Sequence, residues 1–148
     1  MKAATLFLVR HGTTDWNEAG RLQGQSDIPL NDQGRRDAAM AAQRLAEAGI
    51  LPAAVYSSDL ARAVETARVI AARLGRPPVH LDARLRERFL GAAEGLTRAE
   101  AEARFGHGLL DQAAGAEPLD ALVHRVDAAV DELAARHPGR PVVVVSHG

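Results

Sequence analysis

Two uninterrupted apolar runs constrain the fold of this chain more than any other feature. Residues 5–9 read TLFLV, and residues 142–145 are four consecutive valines. A strand with one solvent face alternates apolar and polar residues, whereas a strand of a parallel sheet covered by helices on both faces is apolar throughout. Shorter runs at 53–58 and 78–81 predict two further strands. The sequence therefore predicts a mostly parallel sheet in which the first run is a buried strand.

Helical segments alternate with these strands, which is the order expected of an α/β fold. Helices are predicted over 32–48, 59–75, 96–106 and 118–137. Asp59 is the expected N-cap of the second, and Thr97 with Glu100 forms a capping-box pattern in the third. The apolar faces of the first and fourth are expected at Ala39, Ala42, Leu45 and Ala46, and at Leu119, Leu122, Val123, Val126, Val130 and Leu133. Residues 11–32 read as a long loop, a feature that is usually functional in a small domain.

Composition excludes several classes of protein. The 148 residues include no cysteine, which rules out disulfides, thiolate metal sites and cysteine catalysis. A net charge of −1 provides no overall basic field, so neither nucleic acid nor a membrane is an expected partner. No apolar run approaches the length of a membrane span, and no signal peptide is recognisable. We expect a single cytoplasmic domain over 1–148, while the oligomeric state stays open.

Basic residues follow the predicted strands at the point where each strand ends. Arg10, His11 and Gly12 follow the first strand, and His147 follows the last. Arg62 lies one turn into the helix after the second strand. In open α/β sheets, ligands bind beyond the carboxyl ends of the strands. We therefore expect a cationic crevice that binds a dianion, with Gly12 allowing the ligand to approach the backbone closely.

Each of these residues also has a plain structural interpretation. A histidine at a strand end is usually a surface residue or one held by a hydrogen bond, and an arginine such as Arg62 is usually solvated. The similar sequence surroundings of His11 and His147 favour a ligand-binding site. Both follow an apolar strand, both come after a polar residue, and both precede glycine.

The segment LVRHGTTDWN resembles the opening signature of the histidine phosphatase superfamily, the phosphoglycerate mutase-like proteins. The resemblance continues through GRLQGQSDIPLNDQGRRDA, VYSSDLARAVETA, RLRERFLGAAEGLT and VVVVSHG, in the family's order. It implies a three-layer sandwich with a mostly parallel central sheet flanked by helices. Members usually continue past SHG with a further helix and strand. Because this sequence stops at Gly148, we expect that helix and strand to be lacking and the domain to be C-terminally truncated.

The resemblance also implies roles for particular residues. His11 matches the nucleophile that becomes phosphohistidine, and Glu87 matches the acid that protonates the leaving oxygen and later activates water. Arg10, Arg62 and His147 match the groups that hold the phosphoryl oxygens, and Asn17, Gln23 and Gly24 match positions that line the same pocket. No metal or cofactor is expected if the two arginines and a protonated His147 carry the charge.

Some features of the matching segments leave alternatives open. Glu87 is flanked by Arg84, Arg86 and Arg88, so the alternative interpretation of this residue is a surface ion-pair network. Leu90 and Ala93 stand where aromatic residues are common in the family, and Thr13 stands where Glu is frequent. The smaller side chains at 90 and 93 are expected to widen the substrate pocket or weaken stacking in it.

The leading hypothesis is a histidine acid phosphatase-like phosphomonoesterase that needs no metal and acts on a small phosphorylated metabolite. GRLQGQSDIPLN is similar to stretches in α-ribazole phosphatases and in broad-specificity phosphatases, and the sequence does not choose between them. A phosphoglycerate mutase is the first alternative, although the short segment 88–117 favours hydrolysis over transfer. A non-catalytic module that binds a phosphorylated ligand is the second. The expected partner in each case is a small-molecule phosphate ester.

Overall fold

Four strands pair into one parallel sheet in the computed structural model, which describes residues 2–108, 111, 113 and 115–148. The strands are β1 (Thr5–Arg10), β2 (Val55–Ser57), β3 (Val79–Leu81) and β4 (Pro141–Ser146). Their spatial order is β1-β4-β2-β3, and every neighbouring pair runs parallel. The expectation of a parallel sheet is confirmed, and the valine-rich last strand lies in the interior of the sheet.

Helices cover both faces of the sheet. They are α1 (Asp15–Glu18), α2 (Asp32–Glu47), α3 (Ala61–Arg73), α4 (Arg98–Phe105) and α5 (Leu119–Ala135), and short 3₁₀ turns lie at Ala83–Leu85 and Gly91–Ala93. On one face α2 and α3 pack with β2 and β4 around the fully buried Ile70. On the other face Ala129 and Leu133 of α5 pack against β2 and β4. The three-layer arrangement is confirmed.

The first strand is not buried as its sequence predicts. β1 pairs only with β4, so it lies at the edge of the sheet, and Leu8 is 74% exposed. The N-terminal half of α5 does not cover it, because Leu119 and Val123 of the predicted apolar stripe are themselves exposed. The continuous apolar run correctly predicts the strand, but it does not report the position of that strand in the sheet.

Three local expectations are corrected. Asp59 does not cap α3, whose N-cap Leu60 makes no side-chain cap, because the Asp59 carboxylate accepts two hydrogen bonds from Arg86. Ala38 is buried in α2 where Ala39 was expected, because the buried residues Gly34, Ala38 and Ala42 recur at a spacing of four. The segment 11–32, which was expected to be a loop, contains α1, and this helix begins with a capping box at Thr14. The capping box at Thr97 is confirmed.

A smaller cluster packs outside the sheet, beside the carboxyl ends of the strands. It contains Leu90 and Ala93, and Ala93 is fully buried. The small side chain at 93 therefore serves packing within this cluster and does not widen a pocket. Within the ranges listed above, no helix is long and apolar enough to cross a membrane.

Candidate active site

The carboxyl edge of the sheet brings together the three basic side chains that the strand ends predict. The rings of His11 and His147 lie 5.0 Å apart between centroids, because β1 and β4 are adjacent and in register. Nε of Arg62, from the first turn of α3, lies 3.3 Å from Nε2 of His11. Residues more than 130 positions apart thus meet through the parallel pairing of two strands.

A cleft of about 310 Å³ opens above this group. Its lining includes every predicted site residue except His147, namely Arg10, His11, Asn17, Gln23, Gly24, Arg62 and Glu87. His147 lies beside His11 and lines the adjoining hollow, which is also lined by Glu87. The predicted residues therefore contribute an imidazole, two guanidinium groups and a carboxyl group to this cleft.

The hydrogen bonds of His11 determine which of its nitrogens is nucleophilic. Nδ1 lies 2.6 Å from the carbonyl oxygen of Gly12, and a carbonyl only accepts, so Nδ1 carries the proton. The lone pair is then on Nε2, the nitrogen that faces Arg62. Burial, together with the positive charges of Arg62 and Arg10, lowers the pKa of His11 to about 4. The ring is neutral at pH 7 and able to act as a nucleophile.

His147 is also neutral, which corrects the expectation of a protonated ring. Burial and the nearby charge of Arg62 lower its pKa to about 3. Its Nε2 lies 2.9 Å from Oγ of Ser58, which also accepts from the backbone N–H of Leu60. Nδ1 of His147 is buried and has no hydrogen-bond partner among the described residues.

Arg62 is buried, and its charge is not balanced by a carboxylate. Among the described residues, no carboxylate lies within hydrogen-bonding distance of its guanidinium. The residue is only 1% exposed. Its two terminal nitrogens donate to the carbonyl oxygens of Ser26 and Gly24, each at 2.7 Å. Burial lowers its pKa, but an arginine stays protonated in proteins. The plain interpretation of Arg62 as a solvated helix residue is wrong.

The loop that receives Arg62 is held by residues that were expected to line the phosphate pocket. Gln23 accepts from the Thr14 hydroxyl at 2.6 Å, and the Asn17 oxygen accepts from the Thr14 backbone in the capping box of α1. Gly24 has a φ of +52°, and a Cβ there would meet a Glu94 oxygen at 2.1 Å. These residues line the cleft as predicted, and their oxygens also hold the loop in shape.

Gly12 serves packing, and its expected role of admitting a ligand is corrected. A Cβ at this position would meet the carbonyl oxygen of Gly34 at 2.2 Å. The backbone after β1 therefore lies directly on the first turn of α2. The N–H of Gly12 donates to the hydroxyl of Thr66 on α3 at 3.2 Å. The close approach fixes the backbone whose carbonyl orients His11.

Glu87 is free of the surface ion-pair network that its sequence neighbours suggest. Arg84 pairs with Asp82 and Glu132, Arg86 with Asp59, and Arg88 with Asp111. The Glu87 carboxylate instead accepts from the backbone N–H of Arg88 at 2.8 Å. Burial raises the pKa of Glu87, although Arg62 and Arg10 oppose the shift. Glu87 therefore faces the cleft with a carboxyl group that is easier to protonate than an exposed one.

Comparison with known proteins agrees with this geometry. A family model described as the histidine phosphatase superfamily, branch 1, matches residues 6–148. The chain belongs to this superfamily.

Its relatives include phosphatases and mutase-like proteins. The chain is 42% identical to phosphoglycerate mutase-like protein 4 of Arabidopsis thaliana, over 98% of the chain and 66% of that relative. It is 40% identical to a metal-independent phosphoserine phosphatase of Arabidopsis thaliana, over 97% of the chain and 63% of that relative. The chain thus spans about two thirds of the length of these curated relatives.

A solved structure of a mycobacterial glucosyl-3-phosphoglycerate phosphatase with VO3 superposes on this chain with a TM-score of 0.85. Sequence identity is 38%, and the alignment covers 95% of this chain and 73% of the phosphatase. The α/β fold and the superfamily membership are therefore supported by both sequence and structure.

In this member of the superfamily, Arg125 of α5 holds the Glu87 segment in place. Its guanidinium donates to the carbonyl oxygens of Arg84 and Arg86 at 2.7 and 2.8 Å, and to that of Glu87 at 2.9 Å. Glu117 accepts two further hydrogen bonds from the same group. Sequence reasoning missed Arg125, because a lone arginine on an amphipathic helix carries no signal for binding backbone carbonyls.

Residues that could bind a metal are not grouped in this site. Among the described residues, no set of three or more histidine, aspartate or glutamate side chains is arranged to hold a metal ion.

Proposed function

We propose that this chain hydrolyses phosphomonoesters of small metabolites through a phosphohistidine formed on His11, without a metal ion. The observation that carries the proposal is the state of His11. Its Nδ1 proton is held by the Gly12 carbonyl, its Nε2 lone pair accepts from Nε of Arg62, and Arg62 and Arg10 line the cleft with it. A neutral imidazole beside uncompensated positive charge is suited to attack a phosphate dianion.

In the first step, Nε2 of His11 forms a bond to phosphorus as the bond from phosphorus to the ester oxygen breaks. Glu87, across the cleft, gives its proton to the departing oxygen. The raised pKa of Glu87 supports this role, because a buried carboxyl group retains a proton more readily. The Nδ1–H bond to Gly12 stabilises the positive charge that develops on the ring.

The charge of the transferring group is met by Arg10, Arg62 and His147. The guanidinium of Arg10 donates no hydrogen bond to any residue that the structure describes, so all its donors are available. Nε of Arg62 donates to the Nε2 lone pair of His11, so it lies at the point of attack and can pass to a phosphoryl oxygen once Nε2 has bonded to phosphorus. Nδ1 of His147 is a further nitrogen with no partner among the described residues. Two positive charges match a dianionic phosphoryl group, and planar guanidinium forks bind phosphate oxygens in pairs.

In the second step, water attacks phosphorus and the bond to Nε2 breaks, which releases inorganic phosphate and restores His11. The Glu87 carboxylate, having lost its proton in the first step, accepts one from the water. One group thus acts as acid and then as base, and the cycle is balanced in protons.

A mutase is the second candidate, since one relative is described as phosphoglycerate mutase-like. It would use the same phosphohistidine but return the phosphoryl group to an organic acceptor in place of water. Such an enzyme depends on a bisphosphate primer, whereas a phosphatase does not. Addition of 2,3-bisphosphoglycerate to assays with 3-phosphoglycerate therefore separates the two.

The test is hydrolysis of p-nitrophenyl phosphate by this chain and by His11→Ala, each in excess EDTA. We expect turnover that resists EDTA and disappears in His11→Ala. The exposed His107→Ala is the matched control, because it removes a histidine outside the cleft. Activity that survives in His11→Ala, or that EDTA abolishes, would overturn the proposal. Binding of phosphate without turnover in the unchanged chain would favour the non-catalytic module.

A further inference from the structure

Glu94 lies beside the wall of the cleft, and the proposed chemistry does not use it. It follows the fully buried Ala93 at the end of the 3₁₀ turn Gly91–Ala93, so the packing of that turn fixes its backbone. Glu94 is not among the described residues that line the cleft, so its carboxylate is not placed to touch a substrate. Any effect of Glu94 on catalysis must therefore pass through another residue.

Both oxygens of the Glu94 carboxylate accept hydrogen bonds from the chain. Oε1 accepts from the backbone N–H of Gln25 at 2.7 Å and from that of Leu90 at 3.2 Å. Oε2 accepts from the hydroxyl of Ser26 at 2.6 Å. These hydrogen bonds join the 24–26 segment to the region around Leu90, which is distant in the sequence.

The 24–26 segment is the part of the chain that receives Arg62. The carbonyl oxygens of Gly24 and Ser26 accept from the two terminal nitrogens of Arg62, each at 2.7 Å. With those nitrogens held, Nε of Arg62 lies 3.3 Å from Nε2 of His11. A shift of the 24–26 segment would therefore turn the guanidinium away from the point of attack.

Glu94 fits closely against this segment. A Cβ at Gly24 would meet Oε1 of Glu94 at 2.1 Å. Among the described residues no cationic side chain pairs with Glu94, whereas Glu117 pairs with Arg125 at 2.6 Å. The hydrogen bonds of Glu94 thus hold backbone and hydroxyl groups of the cleft wall and do not balance a neighbouring cation.

We propose that Glu94 is a positioning residue, which holds the 24–26 segment so that Arg62 meets the phosphoryl group. The inference rests on the proposed function for its effect on catalysis. The reach of the side chain is what matters, since one carboxylate contacts two segments. Glutamine has the same reach, because its oxygen can accept from the two N–H groups and its amide can donate to the hydroxyl of Ser26. Aspartate keeps the charge but is shorter by one methylene group.

The test compares Glu94→Ala, Glu94→Asp and Glu94→Gln by the Kd for orthovanadate, measured by calorimetry, and by kcat/KM for p-nitrophenyl phosphate. Nitrophenolate leaves with little help from Glu87, whose carbonyl oxygen accepts from the Gln25 side chain. We expect Glu94→Ala and Glu94→Asp each to weaken vanadate binding and lower kcat/KM by about tenfold. Glu94→Gln should stay close to the starting chain.

The same substitutions in the Arg62→Ala background separate positioning from general stability. If Glu94 acts through Arg62, each substitution should change either quantity by less than about twofold there. A merely structural loss would be as large in both backgrounds. Glu94→Asp is the smaller change and takes the place of Glu94→Ala if that variant does not fold. The exposed Glu47→Ala is the matched control and should leave both quantities unchanged.

Equal losses with and without Arg62 would overturn the inference. Full affinity in Glu94→Asp with a loss in Glu94→Gln would also overturn it, because the charge of Glu94 would then matter and its reach would not. Vanadate binding needs no turnover, so coupling between Glu94 and Arg62 in a chain that does not hydrolyse p-nitrophenyl phosphate would uphold the inference while the proposed function fails. Turnover without that coupling would uphold the proposed function alone.

Discussion

Arg62 and the arginines of the 84–88 segment differ in what they donate to. Arg62 is 1% exposed and donates to two carbonyl oxygens and to His11. Arg84, Arg86 and Arg88 each lie within 2.8 Å of a carboxylate oxygen. All four residues are arginines in the same part of the molecule, but only the charges of Arg84, Arg86 and Arg88 are balanced by carboxylates of the protein.

The difference distinguishes a binding arginine from a structural one. Burial of an uncompensated charge costs free energy, and the carbonyls of Gly24 and Ser26 offset only part of that cost. The remaining positive potential is available to an anionic ligand. A carboxylate partner removes that potential, so the arginines of 84–88 order the chain around Glu87 without competing for the phosphate. The contrast predicts which arginines the activity depends on.

Among the arginine variants, Arg62→Ala should have the largest effect on the catalysis that we propose. Loss of a charged donor aimed at the transferring group should lower kcat/KM for p-nitrophenyl phosphate by about 10²–10³-fold. Arg62→Lys should recover only part of this, because it keeps the charge and loses the fork. The exposed Arg68→Ala, on the same helix, is the control. Unchanged kinetics in a folded Arg62→Ala protein would remove Arg62 from the site.

On p-nitrophenyl phosphate, Glu87→Gln should lower activity less than Arg62→Ala does, and the size of its effect should depend on the leaving group. An alkyl phosphate needs its oxygen protonated as it leaves, so we expect a loss of about 10²–10⁴-fold in kcat/KM. Nitrophenolate leaves as a stable anion, so the loss of kcat/KM for p-nitrophenyl phosphate should be far smaller. The exposed Glu47→Gln serves as the control. An equal loss on both substrates would argue against a proton donor at position 87.

Arg125→Gln should lower kcat/KM for an alkyl phosphate by about ten- to a hundredfold, because Glu87 loses its alignment. It should also move the pH profile. The charge of Arg125 lowers the pKa of Glu87, so removing that charge should raise the pKa. Activity is lost as Glu87 loses its proton with rising pH, so this loss should occur at a higher pH in Arg125→Gln.

Arg125→Lys is the matched variant, since it keeps the charge and loses the carbonyl contacts. It should lower activity without moving the profile. A purely structural role for Arg125 would leave the profile in place in both variants.

Arg84→Gln should have the smallest effect. The Arg84 side chain is 40% exposed and pairs with Asp82 and Glu132, and exposed ion pairs contribute little. We expect kcat/KM within about twofold of the starting protein, with a similar melting temperature. A loss as large as that of Arg62→Ala would show that the balance of charge does not separate the two groups of arginines.

The convergence of His11, Arg62 and His147 was predictable from the sequence. Continuous apolar runs indicate buried parallel strands, and parallel strands deliver the residues after their carboxyl ends to one edge. The same reasoning did not place β1 at the sheet edge, because an apolar run is compatible with either position.

The features of the fold and site that were not predicted depend on contacts between segments whose sequences have no periodic pattern. Gly12 is required by its approach to Gly34, and Asp59 prefers Arg86 to the end of α3. Arg125 acts through carbonyl oxygens of an irregular segment, and every residue has a carbonyl, so nothing in the side-chain sequence marks these acceptors. The neutral state of His147 follows from the burial of its ring, which sequence reasoning did not estimate.

The most direct test of the account is to locate the phosphoryl group during turnover. The chain, and Glu87→Gln to slow the second step, would be mixed with a phosphomonoester, quenched in alkali, and examined by ³¹P NMR and peptide mass spectrometry. The account predicts an acid-labile phosphoryl group on Nε2 of His11 that is absent from His11→Ala. Phosphate on Nδ1, on another residue, or turnover with no phosphorylated intermediate would contradict it.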